Sequence, residues 1–133
     1  MDVMEKLPEW VRTNKFYKAA LKPGTQSFDP DYDDHRTEAG PEQANLISSH
    51  AFTSVDGVTY HYPMIDLDLN AALIPSSTEG HFHLYLNRTI SHDKYRKMLE
   101  AMVEAGIVQK GILGQFDKYG STTLRLPHIK KEY

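Results

Sequence analysis

Asp66, Asp68, His81 and His83 lie within one short stretch and are of the types that hold metal ions, phosphates and protons. Around the carboxylates, Met64, Asp66 and Asp68 share one parity while Ile65, Leu67 and Leu69 take the other, the alternation of a half-buried strand. Around the imidazoles, His81, His83 and Tyr85 alternate with Phe82, Leu84 and Leu86. If the two runs pair with their aliphatic faces aligned, the carboxylates and imidazoles fall on the opposite face of one sheet. Two aspartates two residues apart can converge on one divalent cation, and neutral imidazoles can complete the coordination or meet a phosphate. Either run alone reads better as the solvated face of an ordinary strand, and only the two together, joined by the turn-rich Pro75 to Gly80 link, point to a site.

The elements that must position these groups follow from the flanking sequence. Pro8 suits a helix start, with Leu7, Trp10, Val11, Asn14, Tyr17, Lys18 and Leu21 as its stripe, Trp10 as a core anchor and Lys22-Pro23-Gly24 as its stop. Residues 22–43, with Pro23, Gly24, Pro30, Gly40, Pro41 and four aspartates, predict a long acidic loop. Its aspartates do not form a calcium loop: counted from Asp29, Asp34 stands where a glycine is required and Gly40 where a bidentate glutamate is required. Asp31, Asp33, His35 and Arg36 offer a lid, against the plainer reading of a solvated loop.

Residues 45–53 and 57–65 predict a hairpin turning at Ser54-Val55-Asp56-Gly57, with His50 and His61 as partly buried strand residues and Pro63 at a bulge or edge. Residues 91–106 carry the pattern of a helix. Ser91 is its cap, Asp93 sits in its first turn, and Tyr95, Met98, Leu99, Met102 and Val103 face the sheet until Gly106 ends it. A short strand is expected within 107–116 and another over 121–127, where Arg125 joins the polar face. The order predicts a single α+β domain over 1–133, a mostly antiparallel sheet with helices on one face.

Composition narrows the class. The chain has 133 residues, 40% hydrophobic and 25% charged, and no cysteine, which removes disulfides, thiolate-bound zinc and thiol nucleophiles. Its net charge of −3 disfavours broad capture of duplex nucleic acid. No run approaches the ~18 apolar residues of a membrane span, and MDVMEKLPEWVR lacks a signal-peptide core, so a cytoplasmic protein without membrane contact is expected.

Asp66-Leu67-Asp68, then Ser76-Ser77-Thr78-Glu79-Gly80-His81-Phe82-His83-Leu84-Tyr85, then Leu124-Arg125-Leu126-Pro127 resemble, in order and spacing, the motif series of the archaeo-eukaryotic primase superfamily, especially its phage and plasmid members. The chain also looks like small proteins of tailed phages. The resemblance covers roughly the second half and implies an RRM-like core. It makes Asp66 and Asp68 the carboxylates for catalytic magnesium or manganese, and His83 the nucleotide-binding histidine. Ser77, His81, Arg125 and His128 would join it around the triphosphate, and Asp117 is the nearest candidate for the family's third acid. The implied partners are a nucleoside triphosphate or nucleic acid and a host or phage replication protein.

Three functions therefore enter. One is a primase-like nucleotidyltransferase, or a reduced nucleotide-binding relative, in which metal and basic groups neutralise phosphate charge. A second is a non-enzymatic accessory protein that binds a nucleotide or a host partner. The third is a metal-dependent hydrolase holding zinc or manganese on His81-x-His83 with Asp66 or Asp68.

Overall fold

The computed structural model describes residues 3–19 and 36–130. Most of the acidic loop, and with it Asp31, Asp33 and His35 of the proposed lid, lies outside the described residues. The chain is α+β with antiparallel sheets, and it divides into two compact units, Met1–Ile65 and Asp66–Tyr133.

In the first unit two 3-10 turns, Val3–Lys6 and Glu9–Val11, lead into β1 (Phe16–Lys18). The helix expected over this stretch does not form. Val11, Thr13, Phe16 and Tyr17 are β-branched or aromatic residues that lose rotamer freedom in a helix, and Phe16 and Tyr17 instead pair antiparallel with Ile47 and Leu46 of β3 (Leu46–Ile47). On its other edge β1 pairs with β2 (Thr37–Glu38). Val11, Phe16 and Ala19 are buried, and so is Asn14, whose Nδ2 donates to the Ser48 carbonyl at 3.0 Å. Trp10, expected as the anchor, is 62% exposed.

The predicted hairpin is present as β4 (His50–Thr53) and β5 (Thr59–His61), pairing His50 with His61, Phe52 with Tyr60 and Thr53 with Thr59 around a bulge at Ala51. Its turn needs Gly57, at φ 87°, where a side chain would be strained. The Ser54 hydroxyl hydrogen-bonds Asp56 and draws that carboxyl below its usual range.

In the second unit β6 (Ala71–Pro75) and β7 (Phe82–Leu86) form a regular hairpin, with Leu73 opposite Leu84 and Ile74 opposite His83. The aspartates do not belong to it. The tight Ser76 to His81 link fixes pairing outward from its two ends, and β7 runs for only five residues, so the five residues before the link become its partner. The Asn87 amide donates to the Asn70 carbonyl at 2.8 Å, and Asp66 to Leu69 lie beyond the last rung without strand structure. Among the described residues, the single sheet expected to carry both motifs is thus replaced by three small sheets.

Helix α1 (His92–Glu104) follows the predicted span. Ser91 Oγ accepts from the Lys94 amide at 3.3 Å, and Gly106 takes φ 79° just past the end. Its apolar side packs on a second helix, not on a sheet: α2 (Gly111–Tyr119) stands where a strand was expected. Phe116 of α2 and Leu99 of α1 are buried, and Tyr95 meets the Phe116 ring edge-on at 5.3 Å. Residues 121–126 make no ladder and lie against the helices through side chains: Thr122 Oγ1 meets Tyr95 Oη at 2.8 Å, and Gln115 takes Thr123 Oγ1 and its amide at 2.9 and 3.2 Å. Among the described residues no helix is long and apolar enough to cross a membrane.

Candidate functional site

Apart from the lid residues, the predicted chemical residues lie in the unit Asp66–Tyr133: Asp66, Asp68, Ser77, His81 and His83 in and around the hairpin, Asp117 on α2, and Arg125 and His128 after it. Asp66 and Asp68 are exposed and precede the open end, where Arg88 Nη2 donates to the backbone carbonyl of Asp68 at 3.2 Å. Ser77 and His81 belong to the turn at the opposite end, exposed, with the His81 amide donating to the Thr78 carbonyl at 3.1 Å and its carbonyl accepting from the Ser76 amide at 2.9 Å. His83 lies in β7, half-buried, facing Ile74. From the Ile74 rung to the last pair at Ala71 is already roughly 10 Å of strand at ~3.3 Å per residue, and Asp68 is three residues further still. The β6–β7 ladder therefore does not carry the carboxylates on rungs opposite either imidazole, as the sequence pattern implied it would.

Asp117 is occupied by a different interaction. Arg96 of α1 clasps it from two sides, Nε to Oδ1 at 2.7 Å and Nη2 to Oδ2 at 2.8 Å, and also pairs with Glu100 one turn along. The guanidinium's hydrogen bonds hold the Asp117 carboxyl below the ordinary range, aided by the nearby His92, and Asp117 in turn raises Arg96. His92 lies over Phe116 with ring centroids 4.5 Å apart. This cluster joins two helices and accounts for Asp117 structurally. Arg125 is half-buried, with Nη1 shielded and without a hydrogen-bond partner among the described residues, and His128 is exposed in a turn.

Magnesium or manganese chemistry needs carboxylates gathered around one point, and zinc needs three or four donors. Among the described residues no three His, Cys, Asp or Glu side chains gather in that way. Asp66, Asp68 and Asp117 do not form a triad, and His81-x-His83 has no carboxylate neighbour of that kind. A hollow of about 360 Å³ does open at the hairpin's open end, lined by Asn70, Ala71, Ala72, Tyr85, Leu86 and Asn87, mostly apolar and apart from the predicted acids and histidines.

Sequence reasoning missed what covers the hairpin's faces. Phe82, Leu84 and Leu86 share a face with Leu73, as alternation required, yet that face is open: Leu73 is 64%, Phe82 55% and Leu84 47% exposed. Ile65 and Leu67, also expected inside, are exposed. Helix packing in this unit is chiefly α1 on α2, which leaves the hairpin without a helix laid along it among the described residues.

No protein-family model, curated protein or solved structure matches the chain.

Proposed function

We propose that this chain acts as a binding subunit that assembles with a second copy of itself through the apolar face of β6 and β7, and that it does so without a reaction of its own. The observation that carries the reading is the exposed, uncharged strip of Ala71, Leu73, Pro75, Phe82, Leu84 and Leu86. Such a strip is on the order of 400 Å², within the ~300 to 600 Å² of the largest apolar patch on a typical monomer, which is often functional. A two-stranded hairpin is marginal in water, and stacking it on another sheet is the usual remedy. The face suits a copy of itself, because a two-fold contact brings each residue against the same surface, and an uncharged strip meets no repulsion there. Two strips bury roughly 800 Å², just short of the ~1,000 Å² of a specific interface. A contact of that size belongs to the weak, reversible class.

Sedimentation of the wild type and of Leu84→Lys tests the reading. A concentration-dependent dimer in the wild type and a folded monomer in the variant are expected. A wild type that stays monomeric at ~100 μM would overturn it. So would magnesium- or manganese-dependent turnover of a nucleoside triphosphate that Asp66→Asn abolishes, in favour of the primase-like function.

A further inference from the structure

The hairpin of the first unit carries two imidazoles that the site above does not use. His50 and His61 are directly paired across β4 and β5, with ring centroids 6.2 Å apart and planes at 81°. The bulge at Ala51 brings this about, since the extra residue restores His50 to the face that Thr53, Thr59 and His61 occupy. One nitrogen of each ring is held by a hydroxyl. Ser49 Oγ is 2.9 Å from His61 Nδ1, and Thr53 Oγ1 is 3.3 Å from His50 Nε2 and itself 3.3 Å from Thr59 Oγ1. Among the described residues the other nitrogens are free: His50 Nδ1 is shielded from solvent with no hydrogen-bond partner, and His61 Nε2 has none either.

We infer that His50 and His61 form a two-imidazole site for a late first-row divalent metal, copper or nickel before zinc, with water in the remaining positions. A buried imidazole nitrogen without a partner forfeits a hydrogen bond, and a metal ion is a ligand that restores the loss. With a metal to nitrogen distance of ~2.0 to 2.1 Å, two imidazoles on one ion place their centroids roughly 4.5 Å apart when cis and about 6.4 Å apart when trans, so the observed 6.2 Å suits a near-trans pair. Hydroxyls on the far nitrogens are the outer contacts that orient metal-binding histidines and fix which nitrogen is free. The donor set is imidazole and water without carboxylate or thiolate, which selects against magnesium and calcium and follows the order in which copper exceeds nickel and zinc.

The probe is the metal alone, titrated as nickel and then copper into the full chain and followed calorimetrically, with copper also followed by electron paramagnetic resonance. The expected result is one ion per chain, nitrogen hyperfine structure from two imidazoles, and a raised melting temperature. His61→Ala, at an exposed position, should keep its circular dichroism and lose affinity at least tenfold. His50→Gln should behave alike, and the double variant His81→Ala, His83→Ala should bind as the wild type does. Unchanged affinity in folded His61→Ala would overturn the site. Loss of binding in the His81, His83 double variant would do so too, by moving the metal to the other hairpin.

Discussion

The side chain of Asn45 works as a rung of backbone. Its Oδ1 accepts from the Ala19 amide at 2.9 Å and its Nδ2 donates to the Ala19 carbonyl at 2.8 Å, so one side-chain amide satisfies both main-chain groups of a buried residue just past the end of β1. Asn45→Ala removes both partners at once. The expected loss is about 1 to 3 kcal/mol, the desolvation penalty of groups left unpaired. Asn45→Asp should also destabilise, because it sets a carboxylate oxygen against the Ala19 carbonyl where an amide N–H had been. Chemical denaturation of the three proteins checks this, and Asn45→Ala with wild-type stability would show that water replaces the rung without penalty. Asn45 was legible in sequence only as a strand residue, because nothing local announces that its amide reaches a residue 26 positions away.

Between elements, the informative contact is that of α1 with α2. Phe116 fills it, and Arg96 clasps Asp117 at its exposed rim. The Asp117 carboxyl is held below its unfolded value, so its pairing stabilises the folded state above the ordinary aspartate pKa of about 3.9 and that contribution is lost as pH falls through the lower folded value. Asp117→Asn should therefore melt below the wild type at pH 7, with the gap closing from pH ~4 downwards. The effect should be small and should shrink with salt, because both side chains are partly exposed and solvent screens them. Melting curves at pH 7 and pH 2.5, in low and high salt, measure it. A gap that persists at pH 2.5 would mean that the substitution disturbs packing and that the ion pair is not its origin.

At the scale of the whole molecule, self-association through β6 and β7 makes stability depend on concentration, because a partner that binds only the folded chain adds free energy by mass action. The melting temperature should rise by several degrees between ~1 and ~100 μM chain for the wild type and stay constant for Leu84→Lys. A wild-type melting temperature independent of concentration would leave the apolar strip without the occupant proposed.

What the chain decides locally could be read without coordinates. The alternation over 82–86, the turn at 54–57 and the capped helix from Ser91 to Gly106 depend on neighbouring residues alone, and each stands where the pattern put it. Ambiguity began where local preference was weak: Phe16 and Tyr17 serve a strand, and the glycine-containing 111–119 forms a helix whose Phe116 packs against His92 and Tyr95 of α1. Only tertiary structure decided what the faces meet. Alternation says that His83 and Leu84 point opposite ways, but it cannot say which strand lies beside them, and the five-residue length of β7 decided that in favour of Ala71–Pro75. The Asp66 and Asp68 pair was legible, whereas its convergence with His83 was not, because convergence depends on register, and register is set by the turn and the partner strand together.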